Sequence, residues 1–297
     1  MVRSSTAAGI AIYWFLVTTL VAGLTLSPTD ATASPDSLRL YVLDCGSYPI
    51  PNLARFSLTR QEIATDKLSI ACFLVSHPKG ALIWDTGVVP DKAWAAEEAP
   101  VQHHLALPDG QERDVTLNKH LLSQLADIDF PPEKVAYLAL SHYHFDHTAN
   151  ANEFAAATWL VRKIERDAMF GVKPPAGTVP STYARLMTMK TLTIAGDHDV
   201  FGDGSVIVKA APGHTPGHQV LYLKLARTGG VVLSGDLYHF PESRTLQRVP
   251  TSEFDAEQSR VSRGAIEEFL KSTEAQLWIQ HDFQGNAKLR KAPEYYY

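Results

Sequence analysis

Ser141-His142-Tyr143-His144-Phe145-Asp146-His147 follows directly on the apolar run from Val135 to Leu140. Short apolar runs of this kind read as buried strands, so three imidazoles and a carboxylate are delivered together where a strand ends. His142 and His144 alternate as on an extended segment, and Asp146 and His147 follow in a turn that can redirect them. Three more clusters repeat the arrangement. His214 lies in Pro-Gly-His-Thr-Pro-Gly-His after Val206 to Ala211, Asp236 in Ser-Gly-Asp after Val231 to Leu233, and His281 in Gln-His-Asp after Leu277 to Ile279. Loops carried by the ends of four strands are a rigid mount for a metal centre.

Imidazole and carboxylate suit zinc, and also iron, cobalt or manganese, better than calcium or magnesium. Five histidines and two aspartates exceed one tetrahedral site. Two divalent cations ~3.5–4 Å apart with a bridging carboxylate absorb the surplus and keep positions open for water and substrate. The expected division is His142, His144 and His214 on one ion, Asp146, His147 and His281 on the other, and Asp236 between them.

The chain resembles the metallo-β-lactamase superfamily, whose hallmark is His-x-His-x-Asp-His followed by a distant His, Asp and His. Within it the chain is most similar to the N-acyl-homoserine lactonases, which open the lactone ring of bacterial quorum-sensing signals. The similarity runs from about Leu40 to the C-terminus and is carried by Trp84-Asp85-Thr86-Gly87, Ser141 to His147, Pro212 to Gln219, Gly235-Asp236, and Gln280-His281-Asp282 leading to Pro293-Glu294-Tyr295. It implies an α/β fold, an αββα sandwich of two mixed β-sheets packed face to face with helices outside. It also implies a buried carboxylate, Asp85, that orients a ligand histidine; a simple turn aspartate is the alternative. In the lactonases a tyrosine three residues after the bridging aspartate hydrogen-bonds the substrate. Here that offset holds His239 and the tyrosine is Tyr238. Thr148-Ala149-Asn150 stand where small glycines usually follow the motif.

The chemistry implied is attack of a metal-bridging hydroxide on an ester-type carbonyl, since two cations bring the pKa of a shared water toward ~7. Tyr238 is expected to donate to the developing oxyanion, with His239 as a substrate contact and Asp146 as proton carrier to the leaving group. No Gly-x-Ser-x-Gly elbow offers a serine nucleophile. Three other readings stay open. A class B β-lactamase shares the motif, but those enzymes lack an aspartate that bridges both metals. Phosphotriester, phosphodiester or other carboxyl-ester hydrolysis would use the full ligand set. A non-catalytic metal-binding protein would bind the ions and turn over no ester.

With 27 Lys and Arg against 32 Asp and Glu the net charge is -5, and no basic run offers itself to nucleic acid. A small-molecule substrate is the expected partner, and a homodimer stays open. Hydrophobic residues at 45% and charged residues at 20% describe an ordinary globular chain. The first 33 residues read as a secretory leader: Arg3, then the uncharged Ala7 to Leu26, then Ala31-Thr32-Ala33 as cleavage site. An uncleaved anchor is the rival, because roughly 20 apolar residues span a bilayer. A leader implies a periplasmic or secreted protein with no stable membrane association, whose mature form is one hydrolase domain over 34–297. Cys45 and Cys72 either form the single bridge that an oxidising compartment permits or are two small buried residues on early strands.

Strands are expected at Leu38–Leu43, Ser69–Ser76, Ala81–Trp84, Thr158–Val161, Val206–Val208 and Val220–Leu223, with Val88–Asp114 as loop and Asp199–Gly204 as turn. One helix should bury Leu117, Leu121, Leu122 and Leu125, a charged helix should run through Arg166, and a last one should bury Val261, Ala265 and Phe269. Such mixing suits two packed sheets with helices outside. His77, His103, His104, His120 and His198 read as surface or loop residues, and His218 as a structural neighbour of the ligands.

Overall fold

Both faces of the early strands are apolar, which is the signature of a sheet covered on two sides. In Lys67–His77 the series Ile70, Cys72, Leu74 and the series Ala71, Phe73, Val75 are all buried. The computed structural model describes residues 37–96 and 99–297, with Met1 and Val2. The expected leader and its cleavage site otherwise lie outside the described residues.

The strands are β1 (Arg39–Pro49), β2 (Lys67–His77), β3 (Gly80–Trp84), β4 (Val101–Ala106), β5 (Glu112–Leu117), β6 (Tyr137–Ala139), β7 (Thr158–Val161), β8 (Thr191–Thr193), β9 (His198–Asp199), β10 (Val206–Ala210), β11 (Gln219–Leu225), β12 (Gly229–Leu233) and β13 (Gln276–Trp278). The helices are α1 (Leu121–Asp127), α2 (Phe145–Thr148), α3 (Lys163–Met169), α4 (Pro241–Thr245), α5 (Ala256–Thr273) and α6 (Phe283–Lys288). One sheet has eight strands in the order β4-β5-β1-β2-β3-β6-β7-β8, the other five in the order β13-β12-β11-β10-β9. Both are mixed: β3, β6, β7 and β8 pair in parallel, as do β12 and β13, while the remaining pairs are antiparallel.

Three apolar layers hold this arrangement together. Phe73, Trp84 and Leu160 of the larger sheet meet Val208, Leu221 and Leu233 of the smaller one in the central layer. On the outer side of the larger sheet Leu74, Leu138 and Trp159 pack with Leu121, Leu125 and Met169 of the helices. On the outer side of the smaller sheet Val220, Tyr222 and Val232 pack with Ile266 and Leu270 of α5. Helix, sheet, sheet, helix is therefore the observed order, as the resemblance implies. Each fully buried large apolar side chain contributes on the order of 1.5–3 kcal/mol. Among the described residues no helix is long and apolar enough to cross a membrane.

Three local expectations are overturned. Val88–Asp114 is not simply loop: β4 and β5 form a hairpin there, with Val101 opposite Leu117 and Leu105 opposite Arg113. Its faces are only half apolar, because it is the outer edge of the sheet, and the alternation is correspondingly faint. Leu117 consequently ends β5 and does not belong to α1, whose first N–H groups at Leu121 and Leu122 are capped by Asp91 at 3.1 and 2.8 Å. In α5 Val261 and Ala265 are exposed and Phe269 packs half-buried against the core as expected, while Ser259, Ser262, Arg263, Ile266 and Leu270 face inward. The buried polar members are satisfied: Ser262 donates to Pro212 O at 2.6 Å and Arg263 Nε to Leu237 O at 2.8 Å.

Candidate metal centre

Each ligand candidate stands where a strand has just ended. His142 and His144 follow β6, and Asp146 and His147 lie in the short α2 that His144 opens. His214 occupies the turn from β10 to β11, Asp236 follows β12 and His281 follows β13, so the larger sheet supplies four groups and the smaller one three. Glycine is required beside two of them. Gly213 has φ +133°, and a Cβ there would lie 2.3 Å from Ser259 N; Gly235 has φ +48°, and a Cβ would lie 2.7 Å from His218 Nε2.

The seven side chains converge as two groups. His142 Nε2 and His214 Nε2 lie 2.8 and 3.0 Å from His144 Nδ1. Asp236 turns Oδ2 toward this group, 3.2 Å from His214 Nε2 and 3.6 Å from His142 Nε2. It turns Oδ1 the other way, 2.9 Å from His281 Nε2 and 3.1 Å from His147 Nε2. Asp146 completes the second group, with Oδ1 3.7 Å from His147 Nε2 and Oδ2 3.7 Å from His281 Nε2. His147 Nε2, His281 Nε2 and Asp236 Oδ1 are buried and make no hydrogen bond. Three orphaned atoms pointing at one another are a cost in an apo chain, and a cation between them would satisfy all three. The donor set thus fits two divalent cations.

The far nitrogens of the rings are held by the surrounding chain. His147 Nδ1 donates to Asp85 Oδ2 at 2.8 Å, and the same carboxylate accepts Ser141 N at 2.6 Å and Gln280 Nε2 at 2.6 Å. Asp85 is fully buried with φ +58°, so it is no simple turn residue. His281 Nδ1 donates to Ser69 O at 2.8 Å, and His214 Nδ1 meets Glu253 Oε1 at 3.3 Å. His218 is not a ligand here: Nδ1 donates to Ala211 O at 2.8 Å and Nε2 accepts Asp236 N at 2.9 Å. Such partners fix ring orientation and tautomer. Burial pushes His144 and His218 down to about 3, which leaves neutral imidazoles. Burial would raise Asp236, but the imidazoles of His281, His147 and His142 hold it well below the usual carboxylate range.

Tyr238 requires a correction. It is extended, so successive side chains point to opposite sides. Its hydroxyl donates to Glu267 Oε1 at 3.1 Å, the Arg263 guanidinium lies 4.5 Å from its ring centre, and Tyr238 is not among the residues that line the cleft over the centre. His239 faces the centre instead, with Nε2 3.0 Å from Asp236 Oδ2 and its ring stacked on His281. A cleft of about 270 Å³ opens over His144, Asp146, His214, Asp236 and His239. Of the other histidines, His103 and His104 are on β4 with His104 exposed, and His77 stacks on Phe201 and pairs with Asp203.

Sequence reasoning missed two residues at this centre. Tyr48 on β1 donates its hydroxyl to Asp146 Oδ2 at 2.6 Å; burial first, and then the Asp146 charge, raises the phenol well above its ordinary range, so it stays protonated. Glu165 on α3, buried, accepts Tyr143 N at 3.0 Å, Thr215 Oγ1 at 2.8 Å and Gly217 N at 2.7 Å. It thereby ties the loop of His142 and His144 to the loop of His214. Neither had a signal, since one sits almost a hundred positions before its partner and the other in an ordinary charged helix.

A family model described as the metallo-beta-lactamase superfamily matches residues 65–272. The N-acyl homoserine lactonase AttM of Azorhizobium caulinodans is 26% identical over 264 residues, covering 87% of this chain and 98% of the relative. Among solved structures, an N-acyl homoserine lactone hydrolase with the product N-hexanoyl-L-homoserine bound at its catalytic metal center superposes with a TM-score of 0.72 at 23% identity, covering 87% of this chain and 99% of that one. AidC, a dizinc quorum-quenching lactonase, gives 0.63 at 19%, covering 88% and 94%. These two structural likenesses speak for the fold.

Proposed function

The chain belongs to the metallo-beta-lactamase superfamily, and from that premise we propose that it is a dinuclear metal hydrolase that opens the lactone ring of N-acyl-homoserine lactones. The observation that carries the proposal is Asp236, whose two oxygens face two separate groups of imidazoles. Relatives named as lactonases match nearly end to end, and the dizinc neighbour supports zinc as the metal.

His142, His144, His214 and Asp236 would hold one cation, and Asp146, His147 and His281, with the other oxygen of Asp236 beside them, would hold the second. When bound, the pair supplies Lewis acidity toward the ester carbonyl and an activated water at neutral pH. The chain does the rest. The floor of the cleft receives the ring, and Ile50, Phe56, Leu68 and Phe145 supply apolar wall. His239, neutral because burial lowers its pKa, takes the contact beside Asp236 that Tyr238 does not make. Asp146 carries the proton to the departing alkoxide, and Tyr48, hydrogen-bonded to it, orients that carboxylate.

We further propose export with a mature N-terminus near Ser34. The bond between Cys45 and Cys72 supports it, because such bonds persist in oxidising compartments. Intact mass of secreted material tests this; a mass that retains Met1 to Ala33 favours an anchor.

The deciding experiment is zinc-loaded protein on acyl-homoserine lactones of short and long chain, followed by mass gain of one water. Turnover abolished by a chelator supports the proposal. No turnover with two zinc ions bound moves the assignment to a phosphoester or another carboxyl ester.

A further inference from the structure

The wall of the cleft carries two arginines. Arg55 lies in the turn Leu53–Phe56 and Arg113 on β5, and both line the space above His144, Asp146 and Asp236. They share one neutral acceptor: Arg55 Nη1 donates to Gln111 Oε1 at 2.5 Å and Arg113 Nη2 to the same oxygen at 2.8 Å. Arg113 also donates to Glu112 O at 2.7 Å, and its Nε is buried with no hydrogen-bond partner. Its guanidinium carbon lies 5.8 Å from the centre of the Tyr48 ring, whose hydroxyl touches Asp146.

Three other arginines, Arg244, Arg248 and Arg260, each pair with a glutamate within 3.1 Å. Among the described residues Arg55 and Arg113 have no such partner. The acidic group of that loop, Asp109, is held by Gln111 and by Gly177 N at 2.7 Å, and it acts on Arg113 through its field without a contact ion pair. Two guanidinium groups side by side on one neutral oxygen repel each other, and among the described residues neither forms a contact ion pair, the field of Asp109 on Arg113 being the nearby opposite charge. A planar fork of N–H donors matches a carboxylate or phosphate in geometry as well as charge.

We propose that Arg55 and Arg113 form an anion subsite in the wall of the cleft, so that the substrate is a lactone or ester whose acyl part ends in a carboxylate or phosphate group. The ester reaction in this statement rests on the function proposed above; the subsite itself does not. A neutral alkyl chain would leave both guanidinium groups without a contact ion pair, whereas an anionic terminus supplies one.

Binding and turnover separate the two claims. Calorimetry on the zinc-loaded protein compares hexanoate with adipate and with 5-phosphonopentanoate, each of which adds a second anionic group at the far end. The expected result is at least tenfold tighter binding of one dianion than of hexanoate, the better of the two identifying carboxylate or phosphate. In the Arg55→Gln/Arg113→Gln protein that ratio should fall to within twofold. Equal binding in the wild type, or a ratio that survives the double substitution, overturns the subsite and leaves the arginines as a tie between a turn and a hairpin. The single substitution Arg55→Gln reads the same ratio if the double one loses zinc. Hydrolysis of N-adipoyl- against N-hexanoyl-homoserine lactone then tests the reaction. A dianion preference without turnover of either lactone keeps the subsite and sinks the lactonase assignment. Turnover with no preference does the reverse.

Discussion

Asparagine in place of Asp236 would put an amide nitrogen, which cannot ligate, on one side of the centre while keeping an oxygen on the other. Asp236→Asn is therefore expected to lower metal content below two ions per chain and kcat/KM by on the order of 10²-fold or more, since bound cations supply several kcal/mol. Elemental analysis and lactone kinetics check it; two retained ions with full activity would refute the bridging role. Tyr238→Phe is the matched control. Its hydroxyl meets Glu267 rather than the cleft, so kcat/KM should stay within about twofold, with a stability loss of ~1 kcal/mol for one hydrogen bond. A large fall in rate would show that Tyr238 reaches the substrate after all. That His239 faces the centre and Tyr238 faces away from it follows from extended backbone with a period of two. The seven ligand candidates could be read from sequence because each cluster is local, whereas the hydroxyl of Tyr48 on Asp146 could not, because nothing local relates them.

Between elements, Glu165 is the part to test. Glu165→Ala leaves buried donors on Tyr143, Thr215 and Gly217 without an acceptor, each costing about 1–3 kcal/mol. It should also weaken zinc binding on the order of tenfold, because His142, His144 and His214 come from two sheets and lose their tie. A chelator competition alongside thermal melting would show both, and unchanged zinc affinity in a folded protein would reject the clamp. The turn between β9 and β10 gives a pH test. Asp203 accepts Ser205 Oγ at 2.6 Å and Ser205 N at 3.0 Å and pairs with His77, which together bring it from 3.8 to about 2. A lowered folded pKa stabilises above pH 3.8 and the gain is lost as pH falls to about 2. Urea midpoints of wild type and Asp203→Asn should differ at neutral pH and converge in acid; a constant gap would remove the carboxylate from the account. At this scale α5 was misjudged because its inner face is built from hydrogen-bonded Ser259, Ser262 and Arg263, which hydrophobic periodicity does not register.

Across the molecule, the bond between Cys45 and Cys72 closes 27 residues and staples β1 to β2. Chain entropy puts the loss in Cys45→Ala/Cys72→Ala at about 3–4 kcal/mol, readable as a lower denaturant midpoint with two zinc ions still bound. An unchanged midpoint would make the cysteines mere core residues. The sequence by itself determined the sandwich class and the seven ligand candidates. Strand periodicity and metal-binding residue types are local properties of the chain, written within a few positions of one another. Only the tertiary structure decided that the two oxygens of Asp236 look in opposite directions, that His239 rather than Tyr238 faces the cleft, and that Tyr48, Arg55 and Arg113 stand over the centre. Those facts depend on sheet register and on contacts between residues far apart in the chain, and such contacts exist only once the two sheets have packed.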